Sequence, residues 1–144
     1  MLLRWGLAGA RLLTETSRVT GLGNELSRAL SAWRRTWSVH DPGKVMADLA
    51  VCVAQGGRCL SDLSLLRCDE ELFGSVASDR TVCRLVGTLA DHVEAVEAAV
   101  NRACKTVRRV WALAGEHSPT AGISAERPLV IDIDATLVNV HSDK

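Results

Sequence analysis

Apolar residues recur at intervals of three and four positions through residues 1–117, a spacing typical of amphipathic helices. A first helix is predicted to end at the glycines of residues 21–23. The next carries Leu26, Leu30 and Trp33 on one face. The sequence therefore predicts a mainly α chain with a multi-helix N-terminal domain, residues 1–117.

The clearest helix start lies at Asp41-Pro42, where an aspartate suits the N-cap and a proline suits the first helical position. The following residues are apolar nearly all round as far as Gln55, and Gly56-Gly57 stops the pattern. This pattern predicts the central helix of the domain.

Two further helices, over 61–73 and 79–91, are predicted with a short turn between them. The second begins at a polar cap and places Arg80, Thr81 and Arg84 near its start, with an apolar rear face. Residues 61–91 are thus a candidate helix-turn-helix whose second helix reads DNA. The alternative is plain helix packing, which is favoured by the acidic character of this part of the chain. A last long helix is predicted over 93–114.

A different pattern closes the chain. After a linker of small and turn-forming residues, 118–127, a run of aliphatic residues from Leu129 to Ile133 predicts a buried β-strand within 128–144. Asp132 and Asp134, two positions apart, lie on one face of that strand. Two carboxylates on an apolar strand need a cation or a proton to offset their repulsion and lost hydration, so the pair is a candidate metal site.

The distribution of charge and the cysteine content bear on the partner and the cellular location of the protein. The net charge is zero, yet residues 61–99 hold eight acidic and three basic side chains while the flanking blocks, 1–60 and 100–111, are basic. This distribution suits a localised polyanion-binding surface, and the alternative is chance segregation of charge on a solvated surface. Five cysteines without a CxxC pair indicate reduced thiols and predict a cytoplasmic location.

No uncharged apolar run approaches the length of a membrane span, so no membrane partner is expected.

A second basic candidate is the sequence WRRTW, residues 33–37. Arg34 and Arg35 between two tryptophans suit phosphate contact and base stacking. The alternative is a helix end with Trp33 in the core and both arginines in water.

The terminal strand admits three interpretations. DIDATLV fits the DxDxT pattern of haloacid-dehalogenase phosphotransferases, with the first aspartate as nucleophile and the second as general acid beside magnesium. It also fits the first catalytic strand of a ribonuclease-H-like domain. In the third interpretation an aspartate faces solvent at a strand end.

Most of residues 20–144 resembles the N-terminal part of bacterial insertion-sequence transposases with a DDE catalytic domain. The resemblance rests on GLGNELSRALSAWR (21–34), HDPGKVMADLAVCVAQGG (40–57), SDLSLLR (61–67), LFGSVASDRTVCRL (72–85) and LVIDIDATLVNVHSDK (129–144). It implies a helical region followed by a ribonuclease-H-like domain, in which three acids hold two Mg²⁺ or Mn²⁺ ions that activate water or a 3′-hydroxyl.

The resemblance also assigns residues and partners. The family's D-x-T step matches Asp134-Ala135-Thr136, which makes Asp134 the candidate first catalytic acid, with Asp132 as its neighbour at the metal. DNA of transposon ends is the implied partner. Segments for the second and third acids are missing, so we expect a truncated transposase without stably bound metal or catalysis. The alternatives are a non-catalytic DNA-binding or dimerising remnant, in which the unpaired strand favours self-association, and a phosphotransferase fragment.

Overall fold

The computed structural model describes residues 2–105, 107–118 and 120–130, and every regular element in these ranges is helical. The chain divides into two compact units, Met1–Val110 and Trp111–Lys144. The mainly α prediction is confirmed. Of the predicted strand, Leu129 and Val130 belong to the described residues, and both are exposed without regular secondary structure. Residues 131–138, including Asp132 and Asp134, lie outside the described residues, so the strand and self-association through it stay predictions.

The first unit begins with two consecutive helices, α1 (Leu2–Thr20) and α2 (Leu22–Ala29), followed by a 3₁₀ turn over Ser31–Trp33. The helices are separated only by Gly21, whose φ of 74° is a left-handed conformation that glycine adopts without steric cost. The chain therefore changes direction at Gly21 rather than through a loop.

Helix α3 (Pro42–Ala54) begins as predicted. The Asp41 carboxylate accepts a hydrogen bond from the Lys44 backbone N–H at 3.0 Å, and Pro42 occupies the first turn. The helix ends at Ala54 with Gln55 as its C-cap, and Gly56 follows with a φ of 89°. Both ends are thus set by local residues.

The predicted helix over 61–73 is wrong, because this stretch forms three short elements. They are a 3₁₀ helix (Leu60–Leu63), α4 (Ser64–Arg67) and α5 (Glu70–Phe73). The break lies at Asp69, whose side chain accepts from the Leu72 backbone N–H at 3.0 Å and so caps a new helix instead of continuing the old one. The first half of the predicted helix-turn-helix is therefore not a single helix.

Further along the described chain lie α6 (Asp79–Ala90), α7 (Val93–Cys104) and α8 (Val107–Ala114), followed by a 3₁₀ turn over Gly115–His117. Helix α6 begins at Ser78, whose hydroxyl accepts from the Thr81 backbone N–H at 3.4 Å, as the sequence predicted. The single helix predicted over 93–114 is two elements. At the end of α7 the Lys105 N–H bonds to the carbonyl of Arg102 at 3.3 Å, a tightened final turn rather than a continued α-helix.

Among the residues whose burial is described, most buried apolar side chains of the first unit fall into two clusters. The larger joins α1, α3, α4, α5 and α6 through Ala10, Val45, Cys52, Leu63, Leu66, Phe73, Ala77 and Val82. The smaller joins α2, α6 and α7 through Leu30, Leu89 and Ala99, with Trp33 and Leu85 packed against it. Because α6 contributes a buried side chain to each cluster, its inner face is packed near both ends of the helix.

Helices α2 and α3 meet at Gly43. A Cβ built there would lie 2.2 Å from the Ser27 backbone nitrogen and 2.4 Å from the Leu26 carbonyl carbon. The two backbones touch directly, and only a residue without a side chain permits it. The Ser27 hydroxyl adds a 2.6 Å hydrogen bond to the Asp41 carboxylate, so the contact also orients the start of α3.

One carboxylate is buried in α3, although the sequence predicted an apolar helix there. Asp48 is 6% exposed, and its carboxylate accepts from the Lys44 ammonium at 2.6 Å. Burial raises the pKa of Asp48, against the opposing influence of Lys44. The main group that favours the charged form of Asp48 is thus Lys44, one helical turn away, with a smaller contribution from His40.

Candidate nucleic-acid interface

A cavity of the first unit opens between α6 and the chain that joins α2 to α3. It has a volume of about 870 Å³. We call it the arginine pocket, and its lining residues are Trp33, Arg35, Thr36, Trp37, Ser38, Val39, His40, Pro42, Val45, Thr81, Arg84, Leu85 and Thr88. Pockets of several hundred Å³ are the usual size for small-molecule and nucleotide groups.

One wall is the 33–40 segment, which is non-helical beyond Trp33. The Ser38 N–H donates to the Arg35 carbonyl at 3.0 Å, closing a turn that contains Thr36 and Trp37. The turn projects its side chains outward: Trp37 is 94% exposed. Arg35 is exposed as well.

The other wall is the outer face of α6, where residues three and four apart lie above one another. Thr81, Arg84 and Thr88 line the pocket from successive turns. The start of α6 is fixed by Arg67, whose guanidinium donates to the Ala77 carbonyl and to the Asp79 carboxylate, each at 2.7 Å. This wall is therefore held in place independently of any ligand.

The floor is apolar and belongs to the smaller core cluster. Trp33 is half-buried, and its ring lies 6.4 Å from the His92 ring, centroid to centroid, at an interplanar angle of 48°. Leu85 packs beside it against the same buried residues. The pocket thus combines a packed apolar floor with a polar and basic rim.

The structure brings together three of the five residues that the sequence proposed for DNA contact. Arg35, Thr81 and Arg84 line the arginine pocket, although they come from the two separate candidate segments. Arg80 is exposed on α6 but does not line it. Arg34 points toward Asp41, with a guanidinium nitrogen 3.9 Å from the carboxylate.

The electrostatics of the pocket favour an anion. Among the described residues, its lining includes two arginines and no aspartate or glutamate. Close to the lining residues in sequence, Asp79 is paired with Arg67 at 2.7 Å, and Asp41 lies 3.9 Å from Arg34. The charge that the two lining arginines contribute is therefore positive.

Sequence reasoning missed several lining residues. His40 and Thr88 were not named, nor was Val39, which is 86% exposed. A signal was present for Thr88, which follows Arg84 by one helical turn. No comparable signal marked His40 or Val39, because they lie in a non-helical segment whose path depends on the packing of α2 against α3.

The catalytic part of the prediction is located elsewhere in the chain. The candidate acids Asp132 and Asp134 lie outside the described residues. Within the described ranges, no group of three or more His, Cys, Asp or Glu side chains is placed to bind a metal ion. In those ranges, too, no helix combines the length and apolar character that a bilayer crossing requires.

Comparison with known proteins identifies the class. A family model described as "Transposase DDE domain group 1" matches residues 6–144, nearly the whole chain. The chain therefore belongs to this family of transposase DDE domains, as the sequence resemblance predicted. Enzymes of this family act on DNA and are typically metal-dependent. Neither curated proteins nor solved structures yield a match.

Proposed function

We propose that the helical unit of this transposase chain binds transposon-end DNA through the rim of the arginine pocket. One observation carries the proposal: Arg35 and Arg84, distant in sequence, meet at one open cavity without an acidic lining residue among the described residues. Two guanidinium groups on one rim suit neighbouring phosphates, because arginine offers several donors in a planar arrangement.

Helix α6 supplies the second part of the proposed interface. Arg80 and Arg84 are four residues apart and both exposed, so they lie on one face of the helix. Thr81 lies between them near the helix start. In this proposal Arg84 contacts a base edge or a phosphate, Arg80 extends the basic face, and Thr81 supplies a hydroxyl. Arg34 contributes less, because Asp41 partly neutralises it.

For the catalytic role of the family, we propose Asp134 as the first of its three acids and Asp132 as the neighbouring carboxylate. The family match supports this assignment because it extends over both residues. In that role they would help to hold Mg²⁺ or Mn²⁺, which activates water or a 3′-hydroxyl for attack on a phosphodiester. The helical unit would bind and position the DNA.

The test is the salt dependence of binding to a labelled transposon-end duplex, measured by fluorescence anisotropy. Each phosphate contact contributes about 0.9 to the slope of log K against log salt. The double variant Arg35→Ala with Arg84→Ala should therefore bind more weakly and reduce the slope by about 2.

Arg58→Ala provides the matched control. Arg58 is exposed, lies beyond the C-terminal end of α3 and does not line the pocket. This variant should bind as the unmodified chain does. Binding that ignores salt, or that survives loss of both pocket arginines, would contradict the proposal.

A further inference from the structure

Binding to duplex DNA does not account for the exposure of the Trp37 indole at the arginine pocket. An arginine rim suffices for phosphate contact, yet the arginine pocket also presents an indole that is 94% exposed and, beside it, Val39 at 86%. Exposing such groups to water is unfavourable. In a duplex the faces of the bases are stacked on one another and are not available to an aromatic ring.

The geometry points to an unpaired nucleotide as the occupant of the arginine pocket, with its base stacked on Trp37 and its phosphates at Arg35 and Arg84. This inference rests on the proposed DNA-binding function and specifies its substrate: a single-stranded or opened DNA segment. Aromatic stacking together with cationic backbone contacts is the general basis of single-strand binding.

The arrangement of the turn supports the assignment. Trp37 and Arg35 project from the same turn, closed by the 3.0 Å bond from the Ser38 N–H to the Arg35 carbonyl. A base face and its adjoining phosphate are likewise neighbours along a strand. Arg84 on the opposite wall is positioned for a second phosphate, since both arginines line the one cavity.

The remaining lining groups fit a nucleotide better than a purely apolar ligand. His40 offers a ring nitrogen, and Thr81 and Thr88 offer hydroxyls from α6. The Thr88 hydroxyl already donates to the Arg84 carbonyl at 3.0 Å, which leaves its oxygen lone pairs available as acceptors. The half-buried Trp33 closes the floor, so a base entering the cavity loses contact with water on that side.

The experiment compares two labelled probes on the full 144-residue chain: an oligothymidylate of roughly twelve nucleotides, within the usual single-strand site size, and a duplex of the same length. Trp37→Ala should weaken binding of the oligothymidylate about tenfold. Its effect on the duplex should stay within about twofold, since no base is unstacked there. Trp37→Phe keeps an aromatic face and should restore most of the single-strand affinity.

The outcomes separate the two proposals. If the chain binds neither probe, the proposed DNA-binding function fails and this inference fails with it. A second outcome is that the chain binds duplex in a manner that depends on salt and on both arginines, while Trp37→Ala weakens the binding of both probes equally or of neither. In that case the DNA-binding proposal stands and the unpaired-nucleotide site is wrong. Failure of Trp37→Phe to restore binding would also overturn the stacking assignment.

Discussion

At the start of α3, one side of the helix meets the backbone of α2, and another borders the arginine pocket. On the first side, Gly43 leaves no space for a Cβ, and Ser27 bonds to Asp41 at 2.6 Å. On the second, Pro42 and Val45 lie beside the 33–40 segment, where Trp37 is almost completely exposed. The two regions are adjacent in sequence and differ in what their side chains touch.

The difference separates residues that stabilise the fold from residues that are available to a ligand. At the α2–α3 contact, backbone atoms meet directly, so a substitution must move a helix. At the pocket rim, arginine and tryptophan side chains extend into solvent, so a substitution changes what the surface can bind and leaves packing intact. Three pairs of variants test this division, from the largest effect to the smallest.

Gly43→Ala should destabilise the fold by about 3 kcal/mol, because the new methyl group overlaps backbone atoms of Leu26 and Ser27. Gly87→Ala makes the same chemical change inside α6, where the new methyl group would have no other atom within 4 Å. There alanine should stabilise the protein by about 0.5–1 kcal/mol, because it is the better helix former. Urea unfolding followed by circular dichroism measures both, and equal effects would show that the α2–α3 contact is not tight.

Asp41→Ala should cost about 1–2 kcal/mol, because it removes the N-cap of α3 and leaves the Ser27 hydroxyl without its acceptor. Asp41→Asn keeps an acceptor oxygen and should recover most of that stability. The same unfolding measurement compares the two variants. If asparagine were as harmful as alanine, the 3.9 Å pair with Arg34 would be the important contact, and the division between packing and surface charge would fail at this residue.

Trp37→Ala should change the free energy of unfolding by no more than about 0.5 kcal/mol, since its indole has few contacts to lose. Trp33→Ala is the contrast four residues earlier: this indole is half-buried against the smaller core cluster, and its loss should cost at least about 1 kcal/mol. A thermal unfolding series on both variants gives the comparison. Similar destabilisation by the two would mean that Trp37 serves the fold rather than a ligand.

Local sequence signals predicted the ends of α3 and the start of α6 correctly, because an N-cap or a glycine acts within a few residues of itself. Periodicity alone failed over 61–73. The apolar spacing there is helical, but Asp69 competes for a backbone N–H and begins a new helix. The spacing of apolar residues carries no information about whether a side chain will bond to a backbone N–H in this way.

Of the candidate site, the sequence identified the basic residues but not their arrangement. Arg35 and Arg84 were each recognised from local composition, in two separate hypotheses. Their meeting at one cavity follows from how α2, α3 and α6 pack. Gly43 was not singled out in the sequence, whereas the structure shows a backbone contact there.

The sequence by itself determined that the chain is mainly helical, where the strongest caps lie, and that the chain belongs among DDE transposases. These properties depend on short-range chemistry or on residue patterns along the chain. Only the tertiary structure decided which exposed side chains share a surface. Helical periodicity states which face a residue occupies, but the crossing of two helices depends on side-chain and backbone contacts between distant segments. The Gly43 contact with α2 and the joint lining of the arginine pocket by Arg35 and Arg84 are both contacts of that kind.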